Sequence, residues 1–202
     1  MADYNFTSDW FSRHLPTWRH LIGSHKPKRL LEIGSWEGRS ACFLIEECSQ
    51  HSPIEIHCVD TWLGSVENSA TEISDLEQRF DHNINVAIER ASNAVRLHKY
   101  KMFSHLALCQ LTSRGEKFDL IYVDGSHQAP DVLRDAVLSF GLLSVGGIMI
   151  LDDYLWSMEP EGHQDHHNMP KPAIDAFINI YRRKIRIFEA PLYQLYIEKR
   201  AE

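Results

Sequence analysis

Glu32, Asp60, Asp124 and the consecutive Asp152 and Asp153 each lie within, or directly after, a short apolar run: Leu30–Ile33, Ile54–Val59, Leu120–Val123 and Ile148–Leu151. Carboxylates in such places can accept hydrogen bonds from hydroxyls and amides, and several together suit a hard divalent cation. Short apolar runs bounded by polar or Gly-containing turns read as buried parallel strands. Open parallel sheets bind ligands in the crevice beyond the carboxyl ends of their strands. These carboxylates are therefore expected to converge on one rim.

The elements that must carry them follow from the spacing. The first run leads through the turn Gly34–Gly38 into a helix over about Ser40–Glu47, whose Cys42, Phe43 and Ile45 can face a sheet. The second strand ends at Asp60, a polar stretch Gly64–Ser74 precedes a helix over about Asp75–Ser92, and Val95–Tyr100 reads as a third strand. A helix over about Ser104–Ser113 precedes a fourth strand, Phe118–Val123, and a helix over Pro130–Phe140 precedes a fifth, Gly147–Leu151. This alternation predicts an α/β sheet. After a loop rich in His and Pro, a helix near Ala173–Arg183 precedes the strands Ile185–Phe188 and Leu192–Ile197. Their connection, marked by Pro191, is too short for a crossover helix and predicts an antiparallel hairpin. Residues 5–22 carry Phe6, Trp10, Phe11, Leu15, Trp18 and Leu21 in a helical pattern interrupted by Pro16, so residues 1–25 read as an aromatic arm of one domain spanning 1–202.

At 202 residues, 44% hydrophobic and 24% charged, the chain can bury one sizeable core. A formal net charge of -7 argues against phosphate-backbone binding, so nucleic acid is not an expected partner. No apolar run is long enough to span a bilayer and the N-terminus shows no basic-then-apolar leader, which predicts a cytoplasmic protein with no membrane partner. Cys42, Cys48, Cys58 and Cys109 form no CxxC pair and read as reduced thiols.

The turn Gly34-Ser35-Trp36-Glu37-Gly38-Arg39-Ser40 lacks the GxGxxG spacing of dinucleotide dehydrogenases. Gly34 and Gly38 let the backbone approach a ligand at a helix N-terminus, where free N–H groups and Ser40 can hold a carboxylate. Asp60, ending the second strand, is placed to accept hydrogen bonds from two ribose hydroxyls. A nucleoside cofactor meets both features.

The segment Leu31-Glu32-Ile33-Gly34-Ser35-Trp36-Glu37-Gly38-Arg39-Ser40 resembles the cofactor loop of class I S-adenosylmethionine methyltransferases. It is closest to the catechol and caffeoyl-coenzyme A O-methyltransferase branch, with its Glu-x-Gly-x-x-x-Gly-x-Ser spacing. In that branch, and in the related sugar and macrolide O-methyltransferases, an Asp after the fourth strand and an Asp-Asp or Asp-Asn pair after the fifth bind a divalent metal. Val123-Asp124-Gly125-Ser126-His127 and Ile150-Leu151-Asp152-Asp153-Tyr154 match those positions, and the resemblance covers roughly residues 29–155. It implies a Rossmann-like fold: a mostly parallel seven-stranded sheet, helices on both faces and a C-terminal antiparallel hairpin. It implies S-adenosylmethionine bound through Glu32, Gly34, Ser35, Gly38, Ser40, Asp60, Ser104 (against adenine) and Asp124, and Mg²⁺ held by Asp124, Asp152 and Asp153. The implied reaction methylates a hydroxyl of a small-molecule acceptor. His127, three residues after Asp124, stands where the catechol branch has a general-base Lys, whereas related sugar enzymes use an acid at the position of Ser126.

The chemistry independently suits these residue types. A neutral hydroxyl attacks a sulfonium methyl poorly, and a hard cation held by carboxylates lowers its pKa and orients it. Imidazole titrates near neutrality and can take the proton. Simpler roles exist: Asp124 and Asp152 as cofactor contacts or helix caps, Glu32 as an acceptor for turn amides, Asp60 and Ser104 as caps. A metal-independent methyltransferase and a non-catalytic cofactor-binding protein of the same fold thus stay open. His163-Gln164-Asp165-His166-His167 lacks a second clustered half for zinc and reads as a solvated loop able to cover the acceptor. Trp10, Trp18, Trp62 and Trp156 read first as core or rim packing, with Trp156, just beyond Asp153, the best candidate for an acceptor platform, and the N-terminal arm either closes the pocket or packs on a second subunit of a homo-oligomer.

Overall fold

The computed structural model describes residues 3–65 and 68–202. In chain order the elements are α1 (Leu15–His25), β1 (Arg29–Ile33), α2 (Arg39–Ser49), β2 (Ile54–Asp60), α3 (Ala70–Ile73), α4 (Leu76–Arg90), β3 (Val95–Lys101), α5 (Ser104–Ser113), β4 (Phe118–Val123), α6 (Ala129–Leu142), β5 (Leu143–Leu151), α7 (Lys171–Tyr181), β6 (Ile185–Ile187) and β7 (Leu195–Lys199). The strands form a seven-stranded sheet in the order β3-β2-β1-β4-β5-β7-β6. This is the α/β sheet that the alternation predicts and the mostly parallel, helix-flanked Rossmann-like fold that the resemblance implies. The chain divides into two compact units, Met1–Lys101 and Met102–Glu202.

In the first unit β1 pairs with β2, and β2 with β3, all parallel. Leu30, Leu31 and Ile33 are buried although they alternate sides, which is why β1 reads as a continuous apolar run. β3 is an edge strand and carries Arg96, Lys99 and Lys101, charges that blunt further pairing. The N-terminal arm corrects the sequence reading. Pro16 sits in the first turn of α1, where its missing N–H leaves no helical bond unmade, so it opens the helix rather than interrupting it. Trp18 is fully buried and meets Phe11 edge-on at 4.8 Å, with Phe43 of α2 also in contact, so the arm supplies core. Residues 1 and 2 of the expected arm, and 66 and 67 of the expected polar stretch, lie outside the described residues. The rest of that stretch contains α3, opened by a capping box between Ser69 and Glu72 that was not anticipated.

In the second unit β4 and β5 are parallel, and β7 runs antiparallel to both β5 and β6. The expected hairpin is present with shorter strands, leaving residues 188–194 as its connection. β5 begins at Leu143, directly after α6, instead of at Gly147. Its register with β4 shifts between Phe118 and Leu120, opposite Gly146 at φ +85°. A Cβ on Gly147 would stand 2.9 Å from the Ser144 carbonyl oxygen and 3.0 Å from that of Asp119. The glycines that read as the start of the strand are an irregularity inside it. Among the described residues no helix is long and apolar enough to cross a membrane. All four cysteines are free thiols.

Candidate active site

The first unit builds a tight turn after β1. Gly34, at φ +82°, donates its N–H to the Val59 carbonyl at 2.9 Å, and Trp36 takes the left-handed conformation at φ +47°. Asp60 braces this turn from the end of β2. Its Oδ2 accepts the Trp36 N–H at 2.9 Å and its Oδ1 accepts the Trp62 N–H at 2.7 Å, while the Trp62 indole donates to the Trp36 carbonyl at 3.0 Å. Burial raises the Asp60 carboxyl above its usual range, against backbone N–H groups that pull it down. The backbone N–H groups of Ser35 and Thr61 face the same carboxylate, so the dipoles of the turn converge on Asp60.

Beneath the turn, fully buried Glu32 accepts the Ser40 hydroxyl at 2.6 Å, and burial lifts its carboxyl to about 7. Ser40 is therefore spent on Glu32 rather than presented free to a ligand, and Ser35 is buried as well. Gly38, at φ +80°, precedes α2; a Cβ there would stand 3.1 Å from Phe80 and 3.3 Å from Ile84, so its smallness lets α4 pack against the turn. The arm fastens to the same turn. Thr7 donates to Glu37 from its N–H at 2.8 Å and its hydroxyl at 2.5 Å, Arg79 pairs with Glu37 at 2.7 Å, and Trp10 lies 6.1 Å from Trp36. The sequence reading gave Glu37 no role of its own and did not single out Thr7 or Arg79.

The second unit gathers acids at the ends of β4 and β5. Ligand atoms of Asp124, His127 and Asp153 all lie within 4.8 Å of one another. His127 Nε2 stands 2.8 Å from Asp153 Oδ2, its ring rests against Trp156 at 4.4 Å, and Asp153 holds φ +55°. Asp152 turns the other way. Its Oδ2 accepts from Tyr122 and, at 2.7 Å, from Gln194, and its Oδ1 accepts the Asp153 N–H at 2.7 Å. The Tyr122 hydroxyl lies 2.8 Å from Asp124 Oδ2 as well, so one proton is shared between two carboxylates. Burial, then Asp152 and Asp153, pushes the Asp124 carboxyl well above its usual range, and burial with Asp153 lifts Asp152 to about 6. A recess beside them is lined by Val132, Leu151 and Pro170.

Ser104, expected against adenine, is the first residue of α5 with Phe103 as its cap, and its hydroxyl donates to Asp135 at 2.8 Å. The sequence reading missed Tyr122, Gln194 and Tyr196, which donates to Gln194. Tyr122 had a signal, being two residues before Asp124 on the same strand face. His163, His166 and His167 are exposed and join neither cluster of metal-type ligands among the described residues.

Residues 31–154 match a protein family described as a methyltransferase domain. A comparison with curated proteins finds no match. Among solved structures, an O-methyltransferase from Bacillus cereus in complex with SAH is 16% identical, with a TM-score of 0.63, 96% of this chain and 84% of that one being covered. An O-methyltransferase of tomaymycin synthesis from Streptomyces achromogenes, in complex with SAM, is 14% identical at a TM-score of 0.65, covering 96% and 82%. The methyltransferase MycE of the mycinamycin pathway, in complex with Mg and SAH, is 14% identical at a TM-score of 0.62, covering 96% and 51%. At these identities the likeness is one of fold.

Proposed function

Because the chain belongs to the methyltransferase-domain family, we propose that it transfers the methyl group of S-adenosylmethionine to a hydroxyl of a small molecule, assisted by a divalent cation such as Mg²⁺. The observation that carries the reading is the acidic centre, where three buried or half-buried carboxylates and an imidazole line one recess and the carboxylates raise one another's pKa.

In the first unit Asp60 would accept the ribose hydroxyls of the cofactor, and the Gly34–Ser40 turn would hold its amino-acid end with backbone N–H groups. Glu32 and Ser40 keep that turn in shape from below. S-adenosylmethionine supplies an electrophilic methyl on a sulfonium. In the second unit Asp124 and Asp153 would hold the cation, joined by Asp152 through Oδ1, which keeps a lone pair beside its bond to the Asp153 N–H. The cation supplies positive charge that acidifies a hydroxyl bound beside it.

His127 would take the hydroxyl proton on Nε2, with Asp153 stabilising the imidazolium. The same geometry favours a second reading, in which His127 is itself a ligand with Asp124 and Asp153. His127→Ala separates the two: a base variant keeps its metal affinity and loses the neutral-pH limb of its rate profile, whereas a ligand variant loses metal. The overall proposal is tested by incubating metal-stripped protein with labelled S-adenosylmethionine and a panel of phenolic, sugar and polyketide hydroxyl compounds, with Mg²⁺ or chelator. Label on oxygen only with Mg²⁺ supports it. Equal transfer in chelator removes the metal, and cofactor binding with no transfer to any acceptor favours a binding protein.

A further inference from the structure

A second constellation stands in the first unit, apart from the turn. Glu55 and His57 lie two residues apart on one face of β2, and His57 is the register partner of His98 on parallel β3. Glu55 Oε1 is 2.9 Å from His57 Nε2 and 3.2 Å from His98 Nε2. His57 is buried, with its other nitrogen, Nδ1, 3.1 Å from the Tyr100 hydroxyl. The His57 and His98 rings stack at 4.3 Å, and His98 Nε2 is shielded from solvent without making a hydrogen bond. One ligand atom from each of the three residues falls within a common 4.8 Å.

We propose that Glu55, His57 and His98 form a zinc site that staples edge strand β3 to β2. The donor set is two imidazoles and a carboxylate, the borderline mixture that zinc accepts and Mg²⁺ does not favour. Donors at about 2.0–2.1 Å from a tetrahedral ion stand roughly 3.3 Å apart, close to both carboxylate–imidazole separations here. Tyr100 is the outer partner that such a site needs: without an ion its hydroxyl donates to Nδ1 while Nε2–H donates to Glu55, and with an ion bound it would instead accept from Nδ1–H and leave the Nε2 lone pair for the metal. His98 and Glu55 are partly exposed, which leaves a way in and a fourth position for water. Arg29 Nη2, 3.6 Å from Glu55 Oε1, is the competing cation.

The test uses tag-free, metal-stripped protein and Co²⁺, whose visible absorption reports tetrahedral nitrogen and oxygen ligands. One equivalent of Co²⁺ should give tetrahedral bands that Zn²⁺ abolishes. The bands should vanish in His98→Ala and in Glu55→Gln, each checked for native circular dichroism, and persist in Asp153→Asn. Arg29→Met should tighten Zn²⁺ binding several-fold. No tetrahedral band in the wild type, bands retained in both ligand variants, or bands lost in Asp153→Asn or in a His163/His166/His167→Ala triple variant would each overturn the site, the last two by assigning the ion elsewhere. Equal or weaker affinity in Arg29→Met counts against Glu55 as a ligand.

Discussion

Asp60 and Asp124 are both carboxylates at strand ends, yet their surroundings treat charge in opposite ways. Around Asp60 each oxygen meets a backbone N–H, from Trp36 and from Trp62, and the turn is closed again by the Trp62 indole. Burial raises that carboxyl, and dipoles fixed by the backbone oppose the rise. Around Asp124 the neighbours are two more carboxylates and His127, which partly offsets them, with a tyrosine proton divided between Asp124 and Asp152. The first region is satisfied as it stands and should act by positioning. The second sets carboxylates against one another, and a bound cation would relieve that repulsion.

The strongest break in this comparison is Asp124→Asn. Removal of one like charge should raise the melting temperature in chelator relative to wild type, because it relieves repulsion from Asp152 and Asp153. It should also cut turnover by about 10³-fold or more, the scale of losing metal-assisted activation. A lower melting temperature in chelator, or near-wild-type turnover, would mean that the cluster is a structural network and not an ion site. His127→Ala should cost less, roughly 10²–10³-fold in turnover with cofactor affinity nearly unchanged, as for loss of a general base. Unaltered pH–rate profiles in wild type and variant would exclude that role.

Asp60→Ala belongs to the other side of the comparison. Its effect should fall on binding, weakening S-adenosylhomocysteine affinity about tenfold or more in calorimetry, with metal affinity untouched. Since the Trp36 N–H would lose its acceptor, part of that loss comes from slackening of the turn. A variant with unchanged affinity would show that the ribose lies elsewhere.

The two regions also differ in how far they could be read in advance. Strand ends and the parallel order were legible because apolar runs, Gly turns and acids follow one another locally, and Asp60, Asp124, Asp152 and Asp153 all fall at those ends. The direction in which the acids point was not. Asp152 faces Gln194, which borders β7, and only the antiparallel pairing of Ile150 with Tyr196 brings that segment alongside. His57 gave a hint, as an imidazole inside the apolar run Ile54–Val59, but its partner His98 is set by inter-strand register, which local spacing does not encode. Pro16 was misread because a proline inside a helical pattern and one at its first turn look alike until the start of the helix is known.

The smallest expected effect sharpens the comparison within the first unit. Glu32 supports the turn from a fully buried position, where burial raises its carboxyl to about 7 from the ordinary 4.5. Between those values the folded protein binds more protons than the unfolded chain, so this group lowers stability as pH rises through the window, and the loss is complete above pH 7. The size is on the order of 3 kcal/mol if nothing relaxes. Glu32→Gln keeps an acceptor for the Ser40 hydroxyl and removes the titration. Asp135 and Asp152, also lifted to about 6, impose a similar fall on both proteins, so the informative quantity is the difference between variant and wild type. Urea denaturation at pH 5 and pH 8 should give nearly equal stabilities at the lower pH and a more stable variant at the higher one. If the variant is no more stable at pH 8, the buried carboxylate is ionised without penalty, and a cation or donor must reach its second oxygen when the protein is in solution.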